Sequence, residues 1–281
     1  MSCLTVIAHA STQTNTRLGG ILSPSQAIVR LQPGDLALGR LDVLGSLDGV
    51  ERGMWVLDLL EQRGVCVLNS RASLALSHDK LATAEVLTLA GIPHPATTHV
   101  APWREVGECR TPVVLKPRFG SWGRDVMLCA TREDLSDAIA RSRSRVWFNA
   151  TGGVLQEFVP PLGFDLRVIV AAGHVVGAVS RRAPEGEWRT NLAFGAIRVP
   201  TDPPQEARRL AIAAAAAVGG DLVGVDLLPL TDGHWVVLEV NGAVDFTEEY
   251  SFSESVFDAA RAALSGARAV RFDALEVLTP A

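Results

Sequence analysis

At 281 residues, 48% of them hydrophobic, the chain is long enough to bury a sizeable core and to divide into two or three subdomains. A net charge of −5 and the lack of any sustained Lys/Arg block exclude a nucleic-acid surface, leaving "RSRSR", Arg141 to Arg145, as a solvated helix end. The scattered Cys3, Cys66, Cys109 and Cys129 exclude a zinc or disulfide framework. The lack of a basic leader or of any apolar run of about 18 residues makes the expected setting reduced and cytoplasmic, with no membrane partner.

In chain order, "LTVIAHA" and "DLALGRL" predict strands, "GVERGMWVLDLLEQRG" a helix and "VCVLNS" a buried strand. This βαβ rhythm predicts a small α/β domain over residues 1–78. "SHDKLATAEVLTLAGIPHP" predicts a helix with Ser77 as N-cap and Gly91 and Pro93 as its stop. "TPVVLKP", "DVMLCA", "REDLSDAIARS" and "GGVLQEFV" read as strand, strand, helix and strand. Strands dominate from "FDLRVIVAAGHVVGAVSRR" until the alanine-rich helix "QEARRLAIAAAAAVGG", which Gly219 and Gly220 end. The last stretch, "ARAVRFDALEVLTPA", carries no pattern that assigns it.

Two stretches raise chemical questions. Lys116 closes the apolar strand of "VVLKPRFGSWGRDV", and a strand-end lysine can simply lay its stem on apolar surface. The loop that follows adds weight to a phosphate role. Gly120 and Gly123 let backbone N–H groups approach an anion, with Ser121 and Arg124 as further donors. In "LVGVDLLPLTDGHWVVLEVNG", Asp226 and Glu239 interrupt apolar runs, where an uncompensated ion costs several kcal/mol. A hairpin turning at Asp232 and Gly233 would set these two carboxylates opposite each other, an arrangement that calls for a cation between them. Asn241, on the same face as Glu239, adds a neutral oxygen, and three oxygen donors suit magnesium. An exposed acid, or a register spoiled at Pro229, is the plain alternative. Arg167 breaks an apolar strand and should pair with an acid or a ligand anion, whereas Arg181 and Arg182 could simply guard a sheet edge. The histidines show no metal or triad spacing.

The ordered set "HDK", "VVLKPRFGSWGR", "LQEFV…FDLRVIV", "RRAPEGEWRTN" and "GVDLLP…LEVN" resembles the RimK-type ATP-grasp ligases, near the LysX-type carrier-protein ligases and the tetrahydromethanopterin glutamate ligases. The resemblance spans residues 35 to 250. It implies an α/β ATP-grasp fold behind the small N-terminal domain, with a central, lid-bearing subdomain over 79–157 and a metal-bearing C-terminal subdomain over 158–281. It implies that Lys80 and Lys116 contact ATP phosphates beneath a mobile lid, Phe119 to Arg124, that includes Gly120, Ser121, Trp122 and Gly123. Gln156, Glu157, Phe158 and Val159 would line the adenine, with Asp165 near the ribose. Asp226, Glu239 and Asn241 would hold Mg2+ (or Mn2+), and Arg181, Arg189 and Asn191 would hold the phosphoryl group and acyl intermediate.

The implied activity is ATP-dependent joining of an amino acid to a peptide, carrier-protein or cofactor carboxylate through an acylphosphate, releasing ADP and phosphate. A phosphotransferase on the same scaffold and a non-catalytic nucleotide-binding regulator are the alternatives. The family resemblance also allows a homo-oligomer, since related ligases are often dimers or tetramers. One segment departs from the pattern. "NGAVDFTEEYS" places Gly242, Ala243 and Val244 where relatives carry a threonine, with Asp245 and Phe246 replacing an E-F pair, so neither named substrate transfers directly. The cluster of Arg181, Arg182 and Arg189 favours an acidic substrate, glutamate first.

Overall fold

The computed structural model describes residues 4–41, 53–104, 106, 107 and 109–276, with side chains as far as 267. Cys3 and the start of the helix expected at 49–52 lie outside the described residues. The first strands are β1 (Thr5–Ile7), β2 (Gly20–Leu22), β3 (Leu36–Gly39) and β4 (Cys66–Leu68), interleaved with α1 (Gln13–Leu18), α2 (Pro24–Arg30) and α3 (Trp55–Gln62). They form a parallel sheet in the order β2-β1-β3-β4, as the βαβ rhythm predicts. Helices α1 and α2 and strand β2 are too short to leave a periodic signal.

Two helices follow, α4 (Arg71–His78) and α5 (Lys80–Leu89). Ser77, the expected N-cap, instead lies inside α4. Asp79 caps α5, its Oδ1 accepting the N–H groups of Leu81 (3.0 Å) and Ala82 (3.3 Å). A second, antiparallel sheet has the order β5-β8-β6-β7, from β5 (Thr97–Val100), β6 (Val113–Pro117), β7 (Met127–Cys129) and β8 (Gly153–Glu157). Helices α6 (Arg132–Ser142) and α7 (Val146–Thr151) lie between β7 and β8, and the "RSRSR" arginines are exposed at their junction.

The third sheet is also antiparallel, ordered β11-β10-β9-β12-β13, from β9 (Phe164–Ala171), β10 (His174–Arg182), β11 (Ile197–Pro200), β12 (Leu222–Pro229) and β13 (Trp235–Asn241). Helix α8 (Gln205–Ala217) covers one face, where Ala207, Ala211 and Ala214 pack on Val168, Val170 and Val225. Gly219, at φ +64°, ends it in the left-handed conformation. The other face carries Ile169, Ala171, Val179 and Leu222, packed against Leu4, Val6 and Leu38 of the first sheet. Helix α9 (Val256–Glu276) completes this core with Val256, Phe257, Ala260 and Leu264, so most of the unassigned C-terminal stretch continues a helix. No described helix is long and apolar enough to cross a membrane.

The β12–β13 hairpin reaches the expected pairing by two departures that cancel. Pro229 pairs with Trp235 and Leu228 with Val236, one residue short of the register a two-residue turn would give. A bulge between Asp226 and Leu227 restores it, so that Asp226 does oppose Glu239 and Gly224 opposes Asn241.

Candidate active site

The face of the third sheet that packs on the first sheet turns from apolar to charged along its strands. Period-two alternation places Asp165 and Arg167 on the face that carries Ile169 and Ala171. Arg167 donates from Nε and Nη2 to the two oxygens of Asp226, at 2.6 Å each. Arg181 donates from Nε to Asp165 at 2.8 Å, and its Nη2 bonds both Asp165 and Asp226, the latter at 2.9 Å. Thr190 donates its hydroxyl to Asp165 at 2.6 Å.

This row corrects several expectations. The cations that compensate Asp226 are the protein's own arginines, which reach it from β9 and β10 on the side away from Glu239. Burial pushes the Asp226 carboxyl up, but Arg167 and Arg181 outweigh it and hold it below the ordinary range, not above. Asp165 is fully buried, with its oxygens taken by Arg181 and Thr190, so a ribose contact is not open to it. Burial is the larger influence on its carboxyl, which lies above the ordinary range. Nor does Arg181 guard an edge, because β11 lies outside β10. It is buried and consumed by two acids, and Arg189 is bound to Glu187 through Nε (3.0 Å) and Nη2 (2.8 Å). That bonding holds the Glu187 carboxyl down at about 2. The arginine cluster expected to attract an acidic substrate is therefore largely neutralised from within.

The cations beside Glu239 are the lysines. Lys116, at the end of β6, is only 5% exposed and donates to Gln156 Oε1 at 2.7 Å. Burial lowers its pKa to about 8, against the pull of Glu239 and with an added push from Lys80. The amide of Gln156 also donates to Thr97 at 3.0 Å, so Gln156 serves as a buried spacer that aims Lys116. Its neighbours Glu157, Phe158 and Val159 run on at the end of β8, where Phe158 meets Trp188 edge-on at 5.8 Å. Lys80, at the start of α5, lies 4.0 Å from Glu239 Oε2, and Asn241 Nδ2 donates to Glu239 Oε1 at 3.3 Å. A narrow cleft lined by Lys80, Gln156, Leu238 and Glu239 joins these groups. A roomier cavity of about 460 Å³ beneath Trp103 and Arg104 shares none of them. The chemistry converges on the narrow cleft.

Glu239, a quarter exposed, lines that cleft, with Asn241 bonded to it and Asp226 opposite it across the ladder. Two carboxylates and an amide oxygen are a donor set suited to a hard divalent cation, although Asp226 is buried and already bonded by Arg167 and Arg181. Among the described residues no cluster of three His, Cys, Asp or Glu forms a metal site, so Asn241 is needed to make up the set.

The glycine-spaced loop leans over the cleft. Lys80 Nζ donates to the Gly120 carbonyl at 2.6 Å, and Gly120, Trp122 and Gly123 have φ of +151°, +65° and +69°. A Cβ on Gly123 would stand 2.6 Å from Asn191 Oδ1, so glycine is required where the loop meets the segment that carries Asn191. Arg189 lies 3.5 Å from the Phe194 ring centre in the same segment.

Close packing accounts for the departing "NGAVDF" segment. A side chain at Gly242 would collide with Ser77 Oγ of α4. The buried Arg40 gathers the irregular segment that follows, donating to the Val244 carbonyl (2.7 Å) and to Asp245 (3.1 Å). Sequence reasoning missed Arg40, Asp79, Arg118, Thr190 and Asn69. The only trace of Arg40, Asp79 and Arg118 is a polar residue near an apolar run, Thr190 sits in a polar stretch with no signal, and Asn69 looks like an ordinary strand end.

The RimK-like ATP-grasp domain matches residues 77–260. A glutamate–LysW ligase ArgX of Sulfolobus acidocaldarius is 27% identical over 225 residues, covering 76% of this chain and 78% of the relative. A probable alpha-L-glutamate ligase of Thioalkalivibrio sulfidiphilus is 32% identical over 200 residues, covering 68% and 64%. The D-alanine–D-alanine ligase of Bacillus anthracis, solved with ATP, shares the fold at a TM-score of 0.67 with 15% identity, over 96% of this chain and 99% of that one. The chain belongs to the RimK-like ATP-grasp family and is an ATP-dependent ligase that joins a carboxylate to an amine, not a phosphotransferase or a silent nucleotide binder.

Proposed function

We propose that the protein joins an amino acid, glutamate first among candidates, to a carboxylate carried by a small carrier protein, a peptide or a cofactor. The observation that carries this reading is one cleft lined by Lys80, by Gln156 with Lys116 bonded to it and by Glu239 with Asn241 bonded to it, the glycine loop being tied to Lys80. Two relatives with names that specify glutamate, one of them also a LysW carrier protein, support the amine and the class of acceptor. In this reading 1–78 is a lead-in domain, 79–157 carries the lid and 158–281 carries the metal ligands.

Lys80 and Lys116 would bind ATP phosphates, and Lys116 is preorganised because Gln156 fixes its head. Gln156 to Val159 line the side where the base would lie. Glu239, Asn241 and Asp226 would hold Mg2+ (or Mn2+), which when bound offsets charge on the transferring phosphoryl group. The carboxylate substrate attacks the γ-phosphorus and ADP leaves as the bridging P–O bond breaks, and the amine then displaces phosphate from the acylphosphate to form the amide. Asn191 and Arg189 lie where the loop would close, and closure excludes water from the acylphosphate. Asp165 and Arg181 act at one remove, as the frame that orients Asp226.

The test is ADP release from ATP and Mg2+ against a panel of carboxylates and amines, with products weighed by mass spectrometry. ADP release that requires both partners and yields a product of amide mass is expected. ADP release that needs no amine and leaves a phosphorylated product would overturn the reading.

A further inference from the structure

We propose that Asp79 and Arg118 form a positioning clamp that holds the two phosphate-binding lysines in register at the root of the glycine loop. The proposal rests on the nucleotide reading of Lys80 and Lys116 but concerns residues which that reading leaves without a role. Lys80 opens α5 and Lys116 is the last residue but one of β6, so nothing in either element alone sets the distance between them.

Arg118 supplies the link. Its Nε donates to Asp79 Oδ1 at 2.8 Å and its Nη2 to Oδ2 at 2.5 Å, a two-pronged pair in which the Asp79 side chain is 10% exposed. Asp79 Oδ1 simultaneously caps α5. The Arg118 carbonyl accepts the Lys80 N–H at 3.2 Å, and Lys80 Nζ reaches the Gly120 carbonyl. Pro117, between Lys116 and Arg118, restricts the backbone on both sides of itself. The loop root is thus held by a proline ring, a bidentate ion pair and two hydrogen bonds, and the positive-φ residues, Gly120, Trp122 and Gly123, begin only at its far end. An isolated surface ion pair would do little. This one differs because the same carboxylate also sets the helix end that bears Lys80. Asp79 and Arg118 touch no substrate in this scheme; they are positioning residues, and lid motion is confined to the segment after them.

Asp79→Asn separates the roles, because asparagine still caps a helix but cannot hold the guanidinium as an ion pair. We expect ATP·Mg2+ to bind this variant and Arg118→Met about tenfold more weakly by calorimetry, with Arg118→Lys in between, since a single ammonium replaces a fork. We also expect trypsin to cut after Arg124 several-fold faster in both variants without nucleotide, at melting midpoints close to the parent's. The cleavage rate reports on the loop and needs no ligand. If ATP binding stays within about twofold of the parent and the cut at Arg124 is no faster, the clamp is wrong. Should Arg118→Met not fold, Asp79→Asn and Arg118→Lys decide the question. A parent that binds no ATP would remove the nucleotide reading, while the Arg124 cut would still decide whether the clamp holds the loop.

Discussion

Lys116 illustrates how far a single residue can be read. Its place at a strand end suggested a lysine that costs the fold nothing, yet the structure buries it beside Gln156. The drop from its ordinary 10.5 to about 8 corresponds to about 3 kcal/mol against keeping its charge buried. Below pH 8 the folded and unfolded chains both hold the proton, so the penalty is present in full. Between 8 and 10.5 the unfolded chain keeps a proton that the folded chain has released, and stability rises with pH across that window. Lys116→Met lacks this dependence. It should lose ATP turnover by orders of magnitude yet match or exceed the parent's stability at pH 7, with the difference shifting in the parent's favour from pH 8 to 10. Melting curves of both proteins over that range check the sign. Nucleotide binding by the parent should weaken over the same range, because the ammonium that meets the phosphates is being lost.

Among the elements, the β12–β13 hairpin was legible for a partly accidental reason. A longer turn and a bulge each shifted the register by one residue, and the pairing of Asp226 with Glu239 survived because the shifts were opposite. What alternation could not show was the neighbour on the other side. Arg167 had to find an acid, and its partner proves to be Asp226, across β9 and β12. The pairing of non-adjacent strands is set by the whole sheet, so no local pattern announces it. The consequence separates two acids that look equivalent in sequence. Asp226→Asn leaves the buried Arg181 and the half-buried Arg167 with half their compensation and should destabilise the fold by about 3 kcal/mol. Glu239→Gln, with a partly exposed carboxylate and Lys80 4.0 Å away, should change stability by less than about 1 kcal/mol. Both should lose Mg2+-dependent turnover by orders of magnitude. Urea melts of the two variants check the difference, and equal stability losses would show that the arginines do not depend on Asp226.

On the scale of the molecule, the N-terminal sheet and the ATP-grasp sheet share a core, since Leu4, Val6 and Leu38 pack with Ile169, Val179, Phe257 and Leu264 in one cluster. Composition and rhythm announced both sheets, but nothing in the sequence told how they are joined. The joint is Asn69, fully buried at φ +50°, a conformation that asparagine tolerates better than most residues. Its Oδ1 accepts the N–H groups of Asp221 (2.7 Å) and Leu222 (2.9 Å), and its Nδ2 donates to the carbonyls of Leu222 (2.8 Å) and Gly242 (3.1 Å). The side chain therefore spends its whole bonding capacity across the boundary, on the strands that carry Asp226 and Asn241. Asn69→Ala would strand four backbone groups in a buried seam and place alanine in a left-handed conformation. Even with water entering to satisfy some of them, the loss should reach about 3 kcal/mol. For a chain of this size that lowers the melting midpoint by roughly 6–12 °C. Because the cluster spans both sheets, the parent should unfold in one calorimetric transition, and the variant in one transition at lower temperature. Two separated transitions in the parent would show that the sheets are independent units and that Asn69 merely caps a strand; an unchanged midpoint in the variant would show that the seam is held elsewhere.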